Sequence, residues 1–141
     1  MRKFIFILSA LILLFGCASQ KPQSFNPVSD PKWAFFDIRE DIDYDEAWQT
    51  INSILVKHYS LDLINKEIGY VRTSWRYGYN EEYQGKYRSM VEIKFVPDHT
   101  QLKMRTISHY KKETYWVQGT DSKLISSLKS DVLGRLGRTS R

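Results

Sequence analysis

Tyr87-Arg88-Ser89-Met90-Val91-Glu92-Ile93-Lys94-Phe95 is the stretch that decides the fold. Val91, Ile93 and Phe95 fall on one face at a period of two, opposite Glu92 and Lys94. A stretch of this kind is a strand with one side in a core and one toward water. It belongs to an antiparallel sheet covered on one face. The neighbouring segments repeat the pattern. In Tyr70-Val71-Arg72-Thr73-Ser74-Trp75-Arg76-Tyr77, the residues Val71, Thr73, Trp75 and Tyr77 share one face and Arg72, Ser74 and Arg76 the other. Tyr77 and Tyr87 continue the inward sets. After the turn Pro97-Asp98-His99-Thr100, the residues Leu102, Met104 and Thr106 oppose Lys103 and Arg105. Leu61 and Leu63 predict a strand before the turn that ends at Gly69. Trp33-Ala34-Phe35-Phe36-Asp37-Ile38 is aromatic and β-favouring, and predicts the first strand. Tyr115-Trp116-Val117 predicts a short last one.

Two segments carry helical spacing instead. Asp43, with Glu46 three residues on, is a capping box with Asp in place of Ser or Thr. From it Tyr44, Ala47, Trp48, Ile51, Ile54, Leu55 and His58 form one stripe, predicting a helix over about 43–59. Thr120-Asp121-Ser122 caps a second, in which Leu124 or Ile125, Leu128, Val132 and Leu136 share a face. The order β-α-β-β-β-β-α predicts an α+β two-layer sandwich. Its antiparallel sheet would have roughly four to six strands, with two helices packed on one face.

Composition sets the remaining bounds. The chain has 141 residues, 42% hydrophobic and 26% charged, with one cysteine. That excludes a collagen-like chain, a disulfide scaffold, a polytopic membrane protein and a wholly disordered chain. Twelve of the first 16 residues are apolar, and no acid precedes Asp30. Met1–Gly16 carries Arg2 and Lys3 but no acid, so the rest has net charge +3 rather than +5. The positive start, the apolar run Phe4–Phe15 and the small Gly16 follow the plan of a secretory signal. As a helix that run rises about 18 Å, short of a hydrocarbon core of about 30 Å.

Leu14-Phe15-Gly16-Cys17 resembles the lipobox of bacterial lipoproteins; Phe15 departs from it, since that family usually has a smaller residue there. The resemblance implies cleavage between Gly16 and Cys17 and a thioether-linked lipid on the Cys17 sulfur. With Ala18 rather than Asp after the cysteine, it also implies transport to the outer membrane, on its periplasmic face. Residues 17–32 then form a lipidated tether. Pro22, Pro27 and Pro31 lie among Ser, Gln and Asn there, and Ala18 to Lys32 reaches roughly 45–50 Å at full stretch. Residues 33–137 form the single domain and 138–141 a basic tail.

Tyr44-Asp45-Glu46-Ala47-Trp48, Leu61-Asp62-Leu63, Gly69-Tyr70-Val71 and Trp75 together resemble a pattern in the helix-grip domains of the BamC lipoprotein family. The resemblance covers about residues 40–77. It implies a helix-grip fold and a non-catalytic accessory role at an outer-membrane protein-insertion machine; no binding residue transfers. The chain is shorter than the two such domains of that family.

No catalytic, cofactor-binding or metal-ligating residue is assigned. His58, His99 and His109 fit no metal spacing, and Asp41, Asp43, Asp45 and Glu46 lack the spacing of a calcium loop. They read as helix-start charges. Arg72, Arg76, Lys103 and Arg105 read as the solvent face of a sheet, with anionic headgroups as an alternative contact. Nucleic acid is not an expected partner. The stretch Trp75–Tyr87 holds Tyr77, Tyr79, Tyr83 and Tyr87 in one hairpin. Tyrosine is favoured at interfaces, which makes Tyr79 and Tyr83 candidate partner-binding residues. The sequence therefore predicts a non-enzymatic envelope lipoprotein that assists assembly through protein contacts. The alternative is a periplasmic carrier with an apolar ligand between helix and sheet.

Overall fold

The computed structural model describes residues 21–78, 83 and 85–138. Among them, eight strands form one antiparallel sheet with two helices, an α+β architecture. The strands are β1 (Phe25–Pro27), β2 (Ala34–Asp37), β3 (Leu61–Asn65), β4 (Tyr70–Thr73), β5 (Arg76–Tyr77), β6 (Tyr87–Phe95), β7 (Gln101–Lys112) and β8 (Tyr115–Asp121). The helices are α1 (Tyr44–Val56) and α2 (Ser122–Leu136).

The stretch that opened the sequence reading is the spine. β6 pairs with β7 from Tyr87↔Tyr110 to Phe95↔Leu102. Each long strand takes two further partners along its free edge. β4 and β5 divide the edge of β6, and β2 and β8 divide that of β7. The expected strand Tyr70–Tyr77 is divided into β4 and β5, and the structure adds β1 on the outer edge of β8.

The core forms where the inward stripes meet. Val71, Val91, Ile93, Leu102 and Met104 of the sheet pack against Ile51, Ile54 and Leu55 of α1 and Val132 and Leu136 of α2. The Asp43 carboxylate accepts from the Glu46 N–H at 2.8 Å and starts α1 as its cap chemistry predicts. The helix ends at Val56, earlier than the stripe suggested. The Tyr59 N–H bonds the Leu55 carbonyl, leaving His58 exposed and sending Tyr59 into the core. Gly69 takes φ 63, and a Cβ there would meet Phe95 Cβ at 2.9 Å, so the β3–β4 turn needs glycine.

Three expectations change. Phe25–Pro27, placed in the tether by its prolines, is a strand paired with Asp121–Gly119. The gain is burial: Phe25 is 2% exposed against Tyr87 and Tyr110, and the terminal position of Pro27 suits a residue without a donor. Leu63 is 38% exposed, because the β3–β4 register shifts between Leu61 and Leu63. Finally, neither Trp75 nor Tyr77 shares the inward face of Thr73: Trp75 lies against Arg88 and His109 on the outer face. Arg72 pairs with Glu92 and Arg76 with Ser89, so this chain carries one more residue than β6 between the pairs. The Val91 N–H meets the Thr73 Oγ1 at 2.9 Å. One extra residue in a period-two strand exchanges its faces, so Arg76 turns inward and Tyr77 outward.

Gly119 lets β1 approach. A Cβ there would lie 2.4 Å from the Asn26 carbonyl oxygen and 2.7 Å from the Phe25 ring. Gly119→Ala should therefore lower stability by about 1–3 kcal/mol in a denaturant titration. It should also speed trypsin cutting after Lys32, as β1 leaves the sheet.

Candidate functional site

One end of the helix-covered face is not filled. A recess of about 560 Å³ opens there, lined by Tyr59, Arg76, Tyr83, Tyr87, Ser89, Asp121 and Leu124 among others. Five local events bring these residues together. The end of α1 places Tyr59; the extra residue before β5 turns Arg76 inward; the alternation of β6 presents Tyr87 and Ser89. The junction of β8 and α2 supplies Asp121 and Leu124, and the hairpin loop supplies Tyr83.

Asp121 organises the site. Its Oδ1 accepts from the N–H groups of Lys123 and Leu124 at 3.0 and 3.2 Å, capping α2. Its Oδ2 accepts from the Tyr87 hydroxyl at 2.6 Å, and that hydroxyl lies 3.2 Å from Ser108 Oγ. The carboxylate is thus tied to the helix start and to the middle of the sheet at once. Burial, with the Asp121 contact behind it, pushes the Tyr87 hydroxyl pKa far above its ordinary value of 10.0. Tyr87 therefore stays a neutral donor. The Tyr59 and Ser89 hydroxyls are 3.1 Å apart, and the Arg76 guanidinium lies 5.6 Å from the Tyr59 ring centroid. Arg76 has no carboxylate in salt-bridge range among the described residues. Among the described residues the recess so presents aromatic rings, hydroxyls and one cation, and the one carboxylate among them is engaged.

Of the two candidate tyrosines, Tyr83 lines the recess, with its ring 6.0 Å from that of Tyr87; Tyr79 lies outside the described residues, as does Cys17. Among the acids, Asp43 caps α1, Asp45 pairs with Lys66 at 2.8 Å and Asp41 with Arg39 at 3.3 Å. The sequence reading did not assign Tyr59, Ser89 or Arg76 to a site, and it took Asp121 only as a cap. An aromatic residue just past the last helical turn was the available signal for Tyr59.

The opposite face of the sheet is occupied by its own side chains. Arg72 pairs with Asp62 at 2.6 Å, Arg105 with the buried Glu92, and Arg105 and Lys103 stand 4.5 and 4.9 Å from the Trp33 ring. Arg88 is sandwiched between Trp75 at 4.3 Å and Trp116 at 4.4 Å. It also donates to Tyr77 Oη at 3.1 Å and lies within hydrogen-bond distance of His109 Nδ1 at 3.1 and 3.3 Å. An Nδ1 that accepts from Arg88 leaves the proton on Nε2, which points at Gln118 Oε1 at 3.4 Å. Burial holds the His109 pKa below its ordinary 6.5; the Arg88 charge acts the same way and the Gln118 contact opposes.

Two outcomes follow from these contacts. Asp121→Ala removes a cap and leaves the Tyr87 hydroxyl without its acceptor, so it should cost about 1–3 kcal/mol in chemical denaturation. For His109 the folded state resists protonation more than the unfolded chain does. That contribution is complete above about pH 6.5 and is lost as pH falls from there through the lower folded pKa. The melting temperature should therefore drop between about pH 7.5 and about pH 5.5, and His109→Gln should flatten that drop. Compared with protein-family models and with curated proteins, the chain matches none.

Proposed function

We propose that this protein is a lipid-anchored, non-enzymatic accessory of the bacterial cell envelope, held at the periplasmic face of the outer membrane through Cys17. It acts by seating a segment of an envelope protein partner in the recess beside the tyrosine-rich hairpin. The observation that carries this reading is the recess itself: about 560 Å³, open to solvent, with Tyr59, Tyr83, Tyr87 and Arg76 converging on it. Rigid aromatic rings with a nearby arginine give contact area at small entropy cost, the composition of protein-binding hot spots. No histidine lines it, Ser89 faces Tyr59, and Asp121 is committed to the helix cap and Tyr87. Those engagements favour binding over acid–base or nucleophilic chemistry.

The lipobox residues Leu14-Phe15-Gly16-Cys17 support the anchor. The accessory role rests on the resemblance of residues 40–77, which hold α1, β3, β4 and β5, to the helix-grip domains of the BamC lipoprotein family. The carrier reading keeps one supporting observation, since the recess lies between the start of α2 and the sheet. Against an enclosed apolar ligand stands the packing beneath the helices, where Ile51, Leu55, Ile93, Leu102 and Leu136 are each at most 1% exposed.

A photo-crosslinking amino acid at position 83, in cells, should capture an envelope protein. Leu124→Trp should fill the recess and abolish the crosslink, with the melting temperature little changed. A crosslink that survives Leu124→Trp removes the recess from the function. A small apolar molecule that co-purifies with the wild type and is lost in Leu124→Trp transfers the assignment to the carrier.

A further inference from the structure

β1 shortens the tether. The sequence alone left the chain free from Ala18 to Lys32. In the structure Phe25 is buried in the sheet, its N–H bonds the Pro22 carbonyl, and the Ser24 carbonyl accepts from the Ser122 N–H at 2.9 Å. Lys21 already belongs to the wall of a second hollow, with Phe25, Tyr110, Lys112, Glu113 and Tyr115. Only four residue steps separate Lys21 from Cys17, and they span at most about 14 Å. A lipid on Cys17 therefore holds this end of the sheet at the membrane surface. The tether is too short to leave the domain free to turn away.

The same end is basic. Lys21 and Lys112 stand at the hollow, Lys111 follows in β7, and the Lys111 N–H bonds the Lys86 carbonyl at 2.7 Å. Glu113 is the one acid among the described residues that line the hollow, and none of these four lysines is in an ion pair among the described residues; Lys111 stands 5.9 Å from the Trp116 ring. Tyr115, at the β7–β8 turn, is 53% exposed. Lysine ammonium groups are drawn to anionic headgroups within a Debye length of about 8–10 Å, and an exposed tyrosine suits the water–lipid boundary. The arginines of the sheet's outer face, by contrast, are consumed by Asp62, Glu92 and Trp33.

We propose that the β7–β8 turn, with Lys21, Lys86, Lys111, Lys112 and Tyr115, is a membrane-docking face that rests on the anionic headgroups of the leaflet carrying the Cys17 lipid. This rests on the anchoring reading above. It orients the sheet with the β3–β4 turn away from the bilayer, since that turn lies at the Phe95 end of β6, about 27 Å along the strand from Tyr87.

The test uses the full chain, purified from cell membranes and reconstituted in vesicles of phosphatidylethanolamine and phosphatidylglycerol. A thioether-bound Cys17 leaves an introduced cysteine as the single free thiol. Thr114→Cys and Ile68→Cys are labelled with a fluorophore and exposed to lipid carrying a headgroup quencher. Quenching should be several-fold stronger at position 114. Lys21→Glu with Lys112→Glu should erase most of that difference while the protein still floats with the vesicles. Equal quenching at both positions in a floating protein overturns the docking face and leaves the anchor standing. A difference that survives the charge reversal overturns the role of the lysines. A wild-type chain that takes up the thiol label, or does not float, has a free Cys17, and the anchoring reading falls with the proposal.

Discussion

The pairing of β6 with β7 is the constraint on which the rest of this molecule depends. Nine successive registered pairs, from Tyr87↔Tyr110 to Phe95↔Leu102, hold the two strands together. Every other strand joins one of them directly or through a single intermediate. Because side chains alternate at a period of two, this one register assigns the faces of the whole sheet. Val91, Ile93, Leu102 and Met104 are committed to the helices, and Glu92, Lys94, Lys103 and Arg105 to the other side.

The two faces then solve different problems. Under the helices, apolar side chains pack with almost no exposed area, and burial of this kind is the main stabilising contribution. Among the described residues, no helix lies over the outer face. There Trp33, Trp75 and Trp116 lie against Arg105, Lys103 and Arg88, so each cation contributes hydrocarbon and charge to a ring face while remaining hydrated at its edge. Glu92 is 5% exposed and pairs with Arg105, with Tyr70 donating to it at 2.7 Å. Arg72, Arg88, Lys103 and Arg105 of this face are engaged by acids or rings, whereas Lys21, Lys86 and Lys112 at the β7–β8 end have no ion pair among the described residues.

Asp121 links these layers to the candidate site. It ends β8, opens α2 and accepts from Tyr87 in β6, so a single carboxylate fixes the helix at the point where the packed core gives way to the recess. β1 closes the same end from outside, with Phe25 against Tyr87 and Tyr110. The recess and the second hollow lie on either side of that aromatic group. Tyr87 and Phe25 therefore separate the proposed partner site from the proposed membrane-docking face.

The sequence by itself determined the class of the fold and the start of both helices. Alternation in Tyr87–Phe95, the stripe Ala47, Trp48, Ile51, Ile54, Leu55, and the caps at Asp43 and Asp121 are short-range signals, complete within a few residues. What only the tertiary structure decided depends on partners distant in the chain. The extra residue between Arg72 and Arg76 is visible only against β6, and it puts Arg76 rather than Tyr77 on the face that Ser89 shares. The entry of Phe25–Pro27 into the sheet depends on the space above Gly119, nearly a hundred residues away, and the proline-rich composition around it gave no sign. Tyr59, Ser89, Arg76 and Asp121 come from four separate segments. Lys21, Lys86 and Lys112 come from three. Each is an ordinary residue in its own stretch, and only strand register together with the packing of the helices on the sheet brings them together.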